Sequence, residues 1–146
     1  MKSTSYDGAQ ERQALIDILA SWDVADYILH TFPEAPSIAG SSHAKTLLRW
    51  VAEYHPISDG VPYSDGALQR DWESKGADLP EDTRKSLKDF LSTTGDDWKA
   101  RAPKAVSKAK EDAADYLRMA HARSFADRLQ SSAESGSLES FAQALQ

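Results

Sequence analysis

Apolar residues recur at helical spacing in block after block of this chain. Leu15, Ile18, Leu19 and Trp22 fall at i, i+3, i+4 and i+7, which places them on one helix face from Gln10 onward. Extending that helix through Val24, Tyr27, Ile28 and Leu29 would make it apolar nearly all round. Asp23 followed by Asp26 instead resembles an N-cap with an acid at N3, and predicts a second helix starting there. Pro33 and Pro36 bar its continuation.

Gly40-Ser41-Ser42 offers the next cap, with Ala44, Leu47, Leu48, Val51 and Tyr54 lining one face until Pro56. A short helix over residues 67–74 places Leu68 near Trp72, and Gly76 ends it. Pro80 with Glu81 and Asp82 is a helix-start signal for a segment whose face is Leu87, Phe90 and Leu91, closed by Gly95. Pro103 opens the longest predicted helix, running to about Ser131. Its stripe Val106, Ala109, Ala113, Tyr116, Leu117 and Ala120 gives way to a ridge Leu117, His121, Phe125 and Leu129. That drift predicts either a kink near Ala120 or different partners along the length.

No alternating strand pattern occurs. The expected fold is all-α: an irregular bundle of six or seven helices, with one long helix in the C-terminal half and a short terminal amphipathic helix. The expected organisation is a loose lead-in over 1–9, one helical domain over 10–131, a Ser-rich linker over 132–137 and the terminal helix over 138–146.

Composition makes the core thin. Leu, Ile, Val and Phe total 26 of 146 residues, close to the level at which disorder competes. Four Trp, five Tyr and 22 Ala argue for a folded, Ala-rich helical protein. A core this small favours completion by a partner or by self-association. With no Cys, disulfides and thiolate metal sites are excluded. Residues 1–20 lack a signal-peptide pattern and no stretch is apolar enough to span a membrane, so a soluble cytoplasmic protein is expected.

Net charge is −6, which disfavours general nucleic-acid binding. The charge is uneven, however. Residues 1–98 carry 9 basic and 17 acidic groups, whereas residues 99–146 carry 8 and 6.

Three surfaces are candidates for function. The first is the turn region from Tyr54 to Gly66, where Ser58-Asp59-Gly60 and Ser64-Asp65-Gly66 form a small repeat around Val61-Pro62-Tyr63. Asp bonds its own downstream backbone and Gly supplies positive φ, so both units read as turns. Tyr54, His55, Asp59, Tyr63 and Asp65 are the candidate partner-binding residues, since tyrosines on a structured loop suit protein recognition.

A helix ending in His55-Pro56, then Ser58-Asp59, Tyr63 and the later Trp72, is similar over about residues 41–76 to the small acidic immunity proteins that neutralise DNase colicins. The resemblance implies docking of loop tyrosines onto a protein. This chain departs from that family: the paired tyrosines are replaced by Pro62-Tyr63, and the chain is much longer.

The second surface is Trp98, Lys99, Arg101, Lys104, Lys108 and Lys110, with no acid before Glu111. It supports the alternative function, a nucleic-acid-associated protein with a phosphate-contacting patch. Against it, Lys108–Asp112 is an i,i+4 pair and predicts a self-compensating face. The third surface is the terminal helix, with Leu138, Phe141 and Leu145 on one side. A helix under about 12 residues is marginal alone, so it must dock on the body or in a partner's groove.

Signals for catalysis are missing. Asp26 and His30 at i,i+4 supply only two ligands, and a metal would need another acid from elsewhere. There is no HExxH, P-loop or GxSxG. The expectation is a non-enzyme with no cofactor or metal that binds another protein through the turn region and terminal helix.

Overall fold

The computed structural model describes residues 8–94 and 105–134. Among the described residues there are seven α-helices and no strand. They are α1 (Gly8–Ala20), α2 (Trp22–Thr31), α3 (Ala35–Ile38), α4 (Ser42–Tyr54), α5 (Ala67–Lys75), α6 (Glu81–Thr94) and α7 (Val106–Glu134). Single 3₁₀ turns at His55–Ile57 and Gly76–Asp78 follow α4 and α5. The all-α architecture is the expected one.

Two helix boundaries differ from the sequence reading. The cap of α2 is Ser21, not Asp23: its extended backbone lets the side chain accept from Val24 N–H at 3.3 Å. Starting one residue before Asp23 keeps Trp22 in the helix and adds the Ala25 N–H to Ser21 C=O bond at 3.1 Å. Asp23 is exposed in the first turn, where its charge favours the positive end of the helix dipole. The Pro33–Pro36 stretch, read as a break only, contains α3. Pro36 sits in the opening turn of that helix, where no N–H is needed.

The core forms where the helical stripes meet. Leu15, Leu19, Val24, Ile28, Leu47, Leu48, Leu87 and Leu117 are fully buried, each contributing roughly 1.5–3 kcal/mol relative to exposure. Helix α7 packs along α1, α2 and α3 through Ala109, Ala113, Ala114, Tyr116, Leu117 and Ala120. Alanines here let the helix backbones approach closely. The long helix runs unbroken from Val106 to Glu134, about 43 Å at 1.5 Å per residue, and contacts three helices, α1, α2 and α3, as one of the two expected outcomes has it. Beyond Ala120 no residue through Ser131 is buried, although Phe125 and Leu129 are half-covered.

One acid is enclosed in this core. Glu11 of α1 has no solvent exposure. Its carboxylate accepts from Ser41 N–H at 3.1 Å, from Ser41 Oγ at 2.6 Å and from the Tyr116 hydroxyl. Tyr116 Oη in turn accepts from Gly40 N–H at 2.8 Å. Ser41 also caps α4 by accepting from Ala44 N–H at 3.1 Å. The Ser41 and Ala44 N–H groups at the amino end of α4 are thereby satisfied from within the molecule, and α1, α4 and α7 are joined at one point.

Candidate functional site

The segment after α4 is held to the body at both ends. Ser58 Oγ donates to His55 C=O at 2.8 Å and accepts from the Trp22 indole N–H at 2.6 Å. The His55 ring stacks on Trp22, with centroids 4.5 Å apart and planes 18° from parallel. Its Nε2 lies 3.0 Å from Asp26 Oδ1. Three α2 and turn contacts therefore fix the start of the loop before the first Ser-Asp-Gly unit begins.

That unit forms a tight turn closed by Val61 N–H to Ser58 C=O at 3.1 Å. Its central residues, Asp59 at φ 54° and Gly60 at φ 81°, are both left-handed, as a type I′ turn requires. Asp tolerates this conformation better than most residues, and Gly adopts it without steric cost. Tyr54 Oη donates to Val61 C=O at 3.0 Å and holds the returning limb of the turn.

The second unit is used differently. Only Gly66, at φ 99°, is left-handed there, immediately before α5. Ser64 N–H donates to Leu19 C=O at 2.9 Å, tying the segment to the end of α1. Tyr63 is buried, packs edge-on against Tyr54 at 5.3 Å and donates to Asp71 Oδ2 at 2.5 Å. Burial, and next the bond to Asp71, push its phenol well above the ordinary value.

The candidate residues of the turn region thus divide into two groups. Tyr54, His55 and Tyr63 form its frame, half-buried or buried, whereas Asp59 and Asp65 are exposed on its rim. Flanking the turn are two exposed apolar residues that sequence reasoning did not single out: Ile57, 80% exposed, and Val61, 40% exposed. Their signal was weak but present. Both stand off every helical stripe, one directly after Pro56 and the other inside the repeat.

Of the basic segment, Trp98, Lys99, Arg101 and Lys104 lie outside the described residues. Lys108 is exposed, with Nζ 3.3 Å from Asp112 and 3.7 Å from Glu111. Hydrogen bonding to Asp112 holds its ammonium above the ordinary lysine value. Lys110 Nζ sits 5.6 Å from the centre of the Tyr27 ring. Leu138, Phe141 and Leu145 also lie outside the described residues.

Asp26 and His30 do meet, at 3.3 Å, but the group that joins them is His55 rather than an acid. Both histidines approach the same carboxylate oxygen. Among the described residues no group of three or more His, Asp or Glu is arranged to hold a metal ion. No helix among them is long and apolar enough to cross a membrane.

No family model, curated protein or solved structure matches this chain. The similarity of residues 41–76 to the immunity proteins accordingly carries no assignment.

Proposed function

We propose that this chain is a non-catalytic protein-binding module whose contact element is the apex of the 55–66 segment. Ile57 serves as the apolar anchor, Val61 extends it, and Asp59 and Asp65 form an acidic rim. One observation supports the reading: the most exposed large aliphatic side chain among the described residues, Ile57, stands directly before a turn braced by side chains of α2 and α4.

A single exposed aliphatic residue is unremarkable on a surface. Bracing changes its meaning. An ordered loop gives up little further conformational freedom on binding, so the burial of Ile57 is retained as affinity. Full burial of an isoleucine is worth roughly 1.5–3 kcal/mol, enough for one anchor of a small interface. The rim carboxylates define the complementary surface: an apolar pocket bordered by Lys or Arg.

The test is affinity capture from the host with the intact chain, run beside Ile57→Asp and a control, Met119→Ser, on an exposed methionine of α7. A partner retained by the wild type and the control but lost with Ile57→Asp supports the reading. A partner held equally by Ile57→Asp, or no specific partner at all, removes it.

A further inference from the structure

Helix α7 outruns the core it packs on. Its inward side continues past Ala120 as Ser124, Asp127 and Ser131, which face the α3–α4 corner across a cavity. The other side of the same stretch is apolar. Ala122, Phe125, Ala126 and Leu129 fall at i, i+3, i+4 and i+7 and so share one face. Ala122 and Ala126 are exposed, and Phe125 and Leu129 are half-covered. Part of the cover on Phe125 comes from its own helix, where the Arg128 guanidinium lies 5.7 Å from the ring centre. No residue of this face is buried.

The sequence continues for twelve residues after Glu134. Leu138, Phe141, Ala142 and Leu145 repeat the spacing of the exposed face, and a helix this short needs a surface to fold on. Only residues 135–137, with Gly136 at their centre, separate it from α7. A connection so short makes neighbouring helices antiparallel. Run antiparallel, the two stripes come into step: Leu138 stands level with Leu129, Phe141-Ala142 with Phe125-Ala126, and Leu145 with Ala122. The chain can span this arrangement. Leu129 lies about 7.5 Å along the axis before Glu134, and helix axes pack about 8–10 Å apart. The gap from Glu134 to Leu138 is then about 12 Å, within the roughly 13–14 Å reach of four extended residues.

We propose that the 138–146 segment docks as an antiparallel helix on the outer face of α7, over Ala122, Phe125, Ala126 and Leu129. The tether selects this occupant over a second copy of the chain. A short linker holds its segment at an effective concentration on the order of millimolar, whereas a second copy contributes only its concentration in solution. Ala126 and Ala142 let the two backbones approach closely, and Phe125 and Phe141 fall on the same side of the seam, where their rings pair. The docked segment closes the outer face of α7 to other chains. This contact is separate from Ile57 and does not depend on the reading proposed for it.

Because the chain has no Cys of its own, disulfide trapping is the direct experiment. One full-length variant carries Ala126→Cys with Ala142→Cys, and a control carries Asp127→Cys with Ala142→Cys. Asp127 is the next residue along but lies on the cavity side of the helix. Both replaced α7 positions are exposed, so neither substitution disturbs the core. Oxidation of dilute protein is followed by non-reducing electrophoresis and mass spectrometry. An intramolecular bridge is expected to form at least about tenfold faster in the 126–142 pair, whose Cβ atoms the docked helix holds within bridging distance. Adding Phe141→Asp should bring that rate down to the control's. Equal rates in the two pairs would mean that the tether brings the segment near without seating it, and would overturn the proposal. Bridges formed mainly between two molecules would give the face to a second copy and overturn it as well. A rate indifferent to Phe141→Asp would remove the apolar stripe as the cause, with the same result.

Discussion

Glu11 and Tyr116 stand 105 positions apart in the chain and share a hydrogen bond in the centre of the molecule. Their partners, Ser41 and Gly40, belong to the turn that opens α4. A buried carboxylate is tolerable only while its acceptor sites are filled. Tyr116→Phe removes one donor and leaves Gly40 N–H without its acceptor, at an expected cost of about 1–2 kcal/mol. Glu11→Ala removes the acceptor shared by Ser41 N–H, Ser41 Oγ and the tyrosine O–H and opens a void, costing about 3 kcal/mol or more. Urea unfolding monitored by circular dichroism reads both; equal, negligible shifts would show that the cluster contributes no net stability.

His43, beside that cluster, couples it to pH. Burial pushes its imidazole below the ordinary histidine value, with the charge of Glu11, 3.8 Å away, partly opposing the shift. The unfolded chain therefore binds the proton more readily than the folded one. Stability from this site is complete above the ordinary value near 6.5, falls as pH drops below it, and levels off beneath the lowered native value. His43→Gln should flatten this part of the profile. The measurement is the difference in Tm between wild type and His43→Gln across neutral to mildly acidic pH, and a constant difference would contradict the assignment.

The frame and the apex of the 55–66 segment should separate experimentally. Ser58→Ala removes the acceptor of the Trp22 indole N–H and the donor to His55 C=O, and is expected to cost about 1–2 kcal/mol. Ile57 is 80% exposed, so Ile57→Asp should alter stability by no more than about 0.5 kcal/mol. Thermal melts of the two variants give the comparison; a larger loss for Ile57→Asp would mean that the apex is packed in solution.

Two glycines should resist substitution for different reasons. At Gly60 the space is open but φ is 81°, so Gly60→Ala introduces backbone strain of about 1 kcal/mol. At Gly76 the backbone is ordinary helix, but an added Cβ would lie 2.7 Å from Trp72 Cε3. Overpacking of this kind costs about 1–3 kcal/mol. A Trp72→Leu background should reduce the cost at Gly76 and leave that at Gly60 unchanged, which a double-mutant cycle measures directly.

Much of the fold was legible because periodic stripes and caps agreed with each other. Around α4, the cap at Ser41 and the face Ala44, Leu47, Leu48 and Val51 are where the pattern put them. The start of α2 was misread at Asp23 because Ser21, two positions earlier, is an equally capable cap residue and takes that role. Helix α3 is four residues long and contains Pro36, too short for any periodicity to register. The burial of Glu11 has no local signal, since its partners lie 30 and 105 positions away. At the turn region, residue types singled out the segment but not which of its side chains lie on the outer surface. Tyr63 turns inward because Asp71 lies eight positions on, and Ile57 faces outward because Ser58 and His55 are spent on α2.

The joint between α2 and this loop has a thermodynamic corollary. Trp22 and Asp26 grip the segment only while their helix is wound, so gripping the segment from outside must tighten that winding in return. A molecule seated on Ile57 would slow amide hydrogen exchange along a helix it never touches.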